Sequence, residues 1–191
     1  MAHAHYVRDS MSAALEASFR VRLATAADAP IIAGHRCRMF QDMGELPPPA
    51  DQDLHARTVA YLAGALQRAE YLGWLASPRN EPETIVAGAG AQLRRALPHP
   101  LRHSGGELSV AEGRHAIVLN VYTEPAWRRR GLAELLMRRI LAWAREERLE
   151  RVVLHASPEG RRLYERLGFV ATNEMRFTGD LSSAGETSTI G

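Results

Sequence analysis

The chain has 191 residues, of which 46% are hydrophobic and 24% charged, with a formal net charge of +2 and a sequence pI of about 9.0. This length and composition are typical of one globular domain with short tails. The nearly balanced charge argues against nucleic acid as the main partner, because proteins that bind nucleic acid cluster basic residues on one face.

Signals for membrane insertion or export are lacking in the sequence. No apolar run approaches the ~20 residues that a bilayer requires, and residues 1–10 lack the apolar stretch of a secretory signal. Cys37 is the only cysteine, which excludes an internal disulfide framework and fits a reducing compartment. We therefore expect a cytoplasmic protein with no membrane partner.

The spacing of apolar residues predicts six strands and four helices. Apolar and polar residues alternate in strands, whereas apolar residues recur every three or four positions in helices. The predicted elements, in chain order, are strand Phe19–Leu23, helices Ala27–Met43 and Asp51–Glu70, strands Tyr71–Ala76, Glu83–Leu93 and His115–Tyr122, helix Gly131–Glu147, strand Arg151–Leu154, a helix beginning at Ser157, and strand Phe169–Phe177. This mixture indicates an α/β (α+β) domain with a central sheet, spanning residues 19–178.

Several local patterns mark where these elements begin and end. Thr25 and Asp28 have the spacing of a capping box, in which each side chain pairs with the other residue's backbone amide. Ser157 is a good N-cap for the helix after it, and Gly168 is suited to end that helix in the left-handed conformation. Each pattern predicts a boundary from a few neighbouring residues.

The remaining segments are expected to be irregular. Residues 1–18 are predicted to form a flexible extension and residues 179–191 a disordered tail. Residues 97–114 are rich in Pro, Gly, His and Ser, which indicates a surface loop. Gly88 and Gly90 weaken their strand and indicate a β-bulge there.

The segment Glu124–Ala133 lies between a predicted strand and a strongly amphipathic helix. A turn here would point the first unpaired helix amides outward, where they can hold an anion. Gly131 permits close backbone approach, and the arginines of Arg128–Arg130 suit phosphate oxygens. The segment has neither the Lys-Ser/Thr ending of a P-loop nor the Gly-x-Gly-x-x-Gly spacing. Physical reasoning therefore indicates a phosphate-binding turn, the alternative being a helix start with a solvated basic patch.

Together with a second segment, Leu163–Phe169, this turn resembles the GNAT superfamily of N-acetyltransferases. Arg128, Gly131 and Ala133 match that family's Gln/Arg-x-x-Gly-x-Gly/Ala motif, and the second segment matches its Leu-Tyr-x-x-x-Gly-Phe element. The two motifs occur in the family's order, and the specific part of the resemblance lies between Asn120 and Phe169.

The resemblance implies a three-layer domain whose mostly antiparallel sheet splays at the cofactor strand and is flanked by helices, with acetyl-CoA as acyl donor. The implied cofactor-binding residues are Leu119, Val121 and Thr123 on the splayed strand, Arg128, Arg129, Arg130, Gly131, Leu132 and Ala133 in the turn, and Ser157 at the start of the later helix. The turn would hold the CoA pyrophosphate through backbone amides, and the strand would pair with the pantetheine arm. Arg129 stands where Gly is common in the family, and Ser157 stands where many members have Asn.

The resemblance also implies direct transfer without a covalent enzyme intermediate. An amine would attack the thioester carbonyl, which a backbone amide polarises. Tyr164 would then protonate the departing thiolate as general acid, since a phenol is protonated at neutral pH. Four residues are candidates for the base, namely Glu83, His115, Glu124 and His155. No histidine spacing matches a zinc site, so no metal is expected.

The sequence leaves the acceptor and two other functions open. A small-molecule or peptide amine would fit, with Glu45–Asp53 and Leu97–Arg114 shaping specificity because loops carry such variation. A nucleotide-phosphate enzyme could use the same turn, but the magnesium-binding carboxylate that it needs after a strand is not seen. A non-catalytic acyl-CoA-binding module is the other alternative. A homodimer through a strand edge or helix face is also left open.

Overall fold

The computed structural model of the chain describes residues 14–48, 50–102 and 105–178. The strands are β1 (Phe19–Leu23), β2 (Tyr71–Pro78), β3 (Ala87–Arg95), β4 (His99–Arg102), β5 (Leu108–Ala111), β6 (Arg114–Thr123) and β7 (Arg151–Leu154). The helices are α1 (Ala29–Asp42), α2 (Ala50–Gln67), α3 (Leu132–Glu146) and α4 (Pro158–Arg166), with 3-10 turns at Ala26–Asp28 and Pro125–Trp127. None of the helices in the described ranges combines the length and apolar character needed to cross a membrane.

Five of the strands form one sheet in the order β1-β2-β3-β6-β7. The first four strands pair antiparallel, whereas β6 and β7 pair parallel through the crossover helix α3. Strands β4 and β5 form a separate two-stranded ribbon. This arrangement confirms the predicted mixed α/β class with a mostly antiparallel sheet flanked by helices.

Helices cover both faces of the sheet, as alternation along β2 shows. Trp74 and Ala76 pack in the same buried cluster as the apolar face of α3, whereas Tyr71 and Leu75 pack with residues of α1 and α2. Because successive strand residues point to opposite faces, the two clusters lie on opposite sides of the sheet. The domain therefore has three layers, with the sheet in the middle.

The central strands contain a bulge at the predicted position of the ladder, but the extra residue lies on β6 rather than on the strand of Gly88 and Gly90. The sheet opens directly beside this bulge. Gly88 pairs with Tyr122 and Gly90 with Leu119, so β6 has two residues where β3 has one. Asn120, one of those two residues, has a left-handed φ of 55°. The ladder between β6 and β7 ends at the Val118–Leu154 pair. A bulge bends the strand that carries it, and here the bent strand is the one that leaves its parallel neighbour.

The predicted helix boundaries are also confirmed by hydrogen bonds. The Thr25 amide donates to Asp28 Oδ2 at 2.8 Å, which completes the capping box. Ser157 Oγ accepts from the Gly160 amide at 3.2 Å as the N-cap of α4. Gly168 follows that helix with φ of 92°.

Two predicted segments differ in the structure. Residues 97–114 contain the β4–β5 ribbon rather than a loop, because the two halves of the segment pair with each other. Pro100 is tolerated there because its strand has a neighbour on only one side of this two-stranded ribbon. Residues 169–177 form no strand within the described chain, although their apolar residues alternate. Val170 and Phe177 are 80% and 71% exposed, and a strand needs a hydrogen-bonding neighbour as well as alternation.

The chain ends are described only in part. Residues 14–18 are helical rather than loosely ordered, and Leu15 among them packs against the buried cluster on the α3 face. Glu16 pairs with Arg139 of α3 at 3.0 Å, which ties this segment to the domain. The remainder of the predicted extension, residues 1–13, and the predicted tail, residues 179–191, lie outside the described residues.

Candidate functional site

The turn between β6 and α3 has two features that anion-binding turns use. Arg129 and Gly131 have left-handed φ values of 63° and 85°, and α3 begins at Leu132. The helix itself supplies no acceptors for its first N–H groups, which therefore point out of its N-terminus. Left-handed residues at two of three positions can direct successive amides of a turn toward one side.

The arginine side chains of this turn lie in different places. Arg128 Nε donates to Thr123 O at 3.0 Å, and its guanidinium also forms an ion pair with Asp42 at the end of α1. Arg130 stacks over the Trp127 ring, with 4.7 Å from its guanidinium carbon to the ring centroid. The Arg128 side chain is therefore bonded to the backbone at the end of β6, and Asp42 balances its charge.

A carboxylate also lies in the first turn of α3, where an acidic side chain would compete with an anionic ligand. Glu134 Oε1 accepts from Arg138 at 2.7 Å, and Glu134 Oε2 lies 3.9 Å from Arg166 of α4. The two arginines offset the charge of this carboxylate, which leaves the N-terminus of α3 compatible with a phosphate.

Beyond the bulge, one edge of β6 is open. Leu119, Val121 and Thr123 follow the last β6–β7 pair, so none of them pairs with β7 in the described chain. On its other side this part of β6 is paired with β3. The backbone groups on the open side are the kind of edge to which an extended amide-containing ligand adds as a further strand.

Tyr164 lies on α4, which follows the strand that forms the other side of the opening. Its ring packs against the α3-face cluster and meets the Phe169 ring edge-on at 6.0 Å. A β-carbon at Gly160 would lie 2.9 Å from Tyr164 Cε2, so the glycine one turn earlier makes room for this ring. Burial raises the pKa of the Tyr164 phenol above its usual value. The hydroxyl is therefore protonated at neutral pH and can serve as a proton donor.

A cleft of about 790 Å³ opens on the α1 and α2 side of the sheet. Its lining residues come from three segments, namely Pro30, Ile31, Gly34, His35, Cys37, Arg38 and Gln41 of α1, Asp51, Gln52 and His55 of α2, and Glu83 and Ile85 before β3. Asp51 and Gln52 fall in the segment that was expected to shape specificity, whereas the β4–β5 ribbon contributes none of these lining residues.

His35 is the buried polar residue of this cleft, and the sequence analysis did not find it. Its ring lies 5.1 Å from the Tyr122 ring, and its Nε2 lies 3.5 Å from Glu124 Oε1. A β-carbon at Gly88 would stand 2.9 Å from His35 Nδ1, so that glycine lets the imidazole reach the sheet. Burial, with a smaller contribution from Arg38, lowers the pKa of His35 to about 4. The imidazole is therefore neutral at pH 7.

The four candidate bases occupy four different environments. Glu83 lines the cleft, and Glu124 lies beside it, where Oε1 accepts from Arg38 at 2.7 Å. His115 lies at the opposite end of β6 from the opening. His155 is exposed and its Nε2 is 2.6 Å from Glu174 Oε1. The structure thus brings only Glu83 and Glu124 of this set to the cleft.

A hydrogen-bonded chain fixes the bulge between the cleft and the opening. Arg36 Nη1 donates to Asn120 Oδ1 at 2.7 Å, and Asn120 Nδ2 donates to Tyr71 Oη at 3.1 Å. Burial raises the pKa of Tyr71 to about 12, so its hydroxyl keeps its proton. Buried polar groups that are satisfied in this way hold one geometry, here the left-handed backbone of Asn120.

Comparison with known proteins gives a consistent picture. The family model described as "Acetyltransferase (GNAT) family" matches residues 37–169. Among curated proteins, no significant match was found.

Solved structures resemble the chain over most of its length. A GCN5-related N-acetyltransferase from Ralstonia eutropha JMP134 shares 28% identity and a TM-score of 0.72, over 83% of this chain and 97% of that one. A predicted acetyltransferase with acetyl-CoA from Clostridium acetobutylicum shares 26% identity and a TM-score of 0.68, over 84% and 96%. An aminoglycoside N-acetyltransferase in complex with CoA shares 17% identity and a TM-score of 0.58, over 85% and 95%, which shows a common fold.

Proposed function

The chain belongs to the acetyltransferase (GNAT) family, and from that premise we propose that it transfers the acetyl group of acetyl-CoA to a primary amine of a small molecule or peptide. The observation that carries this proposal is the placement of an anion-binding turn beside the open edge of β6. A ligand with a pyrophosphate at one end and a chain of amides at the other fits both features.

In this proposal the cofactor is held mainly by backbone groups. The amides of Arg129 to Glu134 receive the pyrophosphate, because the left-handed residues and the start of α3 orient them outward. The open side of β6 pairs with the pantetheine arm through residues 119–123. Ser157 keeps its capping role through Oγ, and its hydroxyl proton remains available for donation to the cofactor.

The acceptor amine enters from the cleft on the α1 and α2 side. Glu124 is the base in our proposal, because its carboxylate lies against neutral His35 and at the end of the cofactor strand. The nitrogen lone pair forms a bond to the thioester carbon, and the carbonyl π electrons move to oxygen, where a backbone amide stabilises them. The proton that the nitrogen loses passes to Glu124. Arg38, which donates to Glu124 Oε1 at 2.7 Å, positions that carboxylate, and neutral His35 lies beside it.

Collapse of the tetrahedral intermediate breaks the carbon–sulfur bond and leaves an amide and a thiolate. Tyr164 donates its proton to that sulfur, which yields CoA as the thiol. Cys37, the only cysteine, is an unsuitable acyl carrier because burial raises the pKa of its thiol. Direct transfer from CoA to the amine therefore fits the site better than an acyl-enzyme.

The experiment that tests the proposal combines acetyl-CoA titration with turnover on a panel of amines. We expect saturable binding of acetyl-CoA and CoA, no binding of ATP, and acetylation of at least one amine class. Tyr164→Phe should lower kcat by about 10²–10⁴-fold, the usual contribution of a general acid, with an unchanged Kd for acetyl-CoA.

Tyr61→Phe is the matched control, because this tyrosine is 51% exposed on α2 and lies outside the proposed site. It should behave as wild type in both assays. Failure to bind CoA would overturn the whole proposal. Binding without turnover on any amine would instead support the acyl-CoA-binding module, and full activity of Tyr164→Phe would remove this tyrosine from the mechanism.

A further inference from the structure

Two histidines and a glutamate from distant parts of the chain converge at the end of the sheet that is opposite the cofactor opening. His99 lies on β4, His115 near the start of β6, and Glu150 directly before β7. Each offers one ligand atom, and these atoms all lie within 4.8 Å of one another. The three groups are partly buried, which distinguishes them from an ordinary exposed charge cluster.

Each of the two imidazoles has one nitrogen that makes no hydrogen bond. In the described part of the chain, Nε2 of His99 and Nε2 of His115 are buried without a hydrogen-bond partner. A buried polar atom in that state costs free energy unless something binds it. His115 Nε2 lies 4.0 Å from Glu150 Oε2, which is too far for a hydrogen bond.

His99 also has the tautomer that a metal ligand requires. Its Nδ1 lies 3.2 Å from Leu97 O, an acceptor that has no proton of its own. The ring proton therefore belongs on Nδ1, where it is donated to that carbonyl, and Nε2 carries the lone pair. Metal-binding histidines commonly orient their rings in this way, with the second nitrogen donating to a backbone carbonyl.

Glu150 is fixed by the backbone around it. Its Oε1 accepts from the Glu112 amide at 2.6 Å, and its Oε2 accepts from the Gly113 and Arg114 amides at 2.7 and 2.9 Å. Oε1 retains a lone pair after this single bond. Such a carboxylate supplies a negative charge at a set position, as ligating carboxylates usually do.

The two arginines near this cluster do not neutralise the Glu150 carboxylate. The Arg114 guanidinium is directed to Glu147, at 3.4 Å from Oε2. Arg151 pairs in register with His115 but is itself exposed, so its charge is largely screened by solvent. Neither arginine forms an ion pair with Glu150 in the described chain.

We propose that His99, His115 and Glu150 bind one divalent transition-metal ion of the Zn²⁺ type. Two imidazole nitrogens and one carboxylate oxygen form a donor set that Zn²⁺ prefers, with a fourth position for water. Metal–ligand distances of about 2.0–2.2 Å require the two imidazoles to move by roughly 1 Å toward the carboxylate, which the backbone amides hold in place.

The metal would join the β4–β5 ribbon to the main sheet. His99 belongs to the ribbon, whereas His115 and Glu150 belong to the neighbouring ends of β6 and β7. The site is independent of the proposed acetyl transfer, because it lies at the end of β6 that still pairs with β7. Its expected effect is a more stable domain rather than a faster reaction.

The test uses the full chain and measures bound Zn²⁺ after equilibrium dialysis, with Co²⁺ absorption as a second readout. We expect one ion per chain and a visible Co²⁺ spectrum of low-symmetry coordination. His99→Gln and His115→Gln each remove one ligand while keeping a polar side chain of similar size. Each should weaken binding by more than the roughly 10–100-fold that loss of an outer-shell partner costs.

Two controls separate this site from other histidines. His3→Ala/His5→Ala removes a pair near the chain start, and His155→Ala removes an exposed histidine beside Glu174. Both variants should bind as wild type, and Zn²⁺ should raise the Tm of wild type but not of His99→Gln. Unchanged binding in both glutamine variants, loss of binding in either control, or no binding by wild type would each overturn the proposal. Circular dichroism without added metal checks that each variant is folded. If His115→Gln does not fold, the result for His99→Gln alone decides the matter.

Discussion

Arg129 has a left-handed backbone in the middle of the proposed pyrophosphate turn, and its replacement separates the role of the backbone from that of the side chain. At a φ of 63° a non-glycine residue is strained by about 1–2 kcal/mol. Glycine removes that strain but adds about 0.4–1 kcal/mol of unfolded-state entropy. Arg129→Gly should therefore be more stable than Arg129→Ala by about 1 kcal/mol, which corresponds to a Tm difference of about 2–4 °C in a domain of this size.

The two variants make a matched pair because both lack the guanidinium and both keep the amide. If the main chain holds the pyrophosphate, calorimetry should give nearly equal acetyl-CoA Kd values for them, close to that of wild type. A loss of about tenfold or more in both variants would indicate a lost charge-assisted hydrogen bond and refute main-chain binding as the main contribution. Equal Tm values for the glycine and alanine variants would refute the strain assigned to this residue.

Two further predictions concern stability. Gly90→Ala would place a β-carbon 1.8 Å from the hydroxyl of buried Tyr71, so urea unfolding should show a loss of about 3 kcal/mol in the free energy of unfolding from overpacking. Gly105→Ala is the control, because a β-carbon there would have nothing within 4 Å. An equal loss in the control would contradict the reasoning. Asp28 is 5% exposed, and its hydrogen bonds with Arg22 lower the pKa of its carboxyl to about 2 from 3.8. This depressed pKa adds stability that is present above about pH 4 and lost as pH falls through 2, so Asp28→Asn should cost about 2 kcal/mol at neutral pH and almost nothing near pH 2. A cost that does not change with pH would refute this linkage.

Features that depend on neighbouring residues could be predicted from the sequence. The capping box of Thr25 and Asp28, the N-cap Ser157 and the left-handed Gly168 are each defined by a few consecutive residues. The family could be predicted for the same reason, because the turn around Gly131 and the element around Tyr164 are short motifs in a fixed order. Their assigned roles in binding and catalysis are still predictions.

Features that depend on a distant partner could not be predicted in this way. Residues 169–177 alternate like a strand but have no neighbouring strand in the described chain, whereas the Pro- and Gly-rich segment 97–114 contains a ribbon because its two halves pair with each other. His35 belongs to no motif, and only the packing of α1 against β6 brings it to Glu124.

The sequence by itself therefore determined the fold class, the family and the positions of the turn around Gly131 and the helix that carries Tyr164, since local hydrogen bonds and short motifs encode them. Only the tertiary structure decided where the sheet opens, which side chains line the cleft, and that His99, His115 and Glu150 lie close together. The physical reason is the separation of these residues along the sequence. Residues far apart in sequence are brought together by strand pairing and core packing, and no spacing along the chain records which of them will meet.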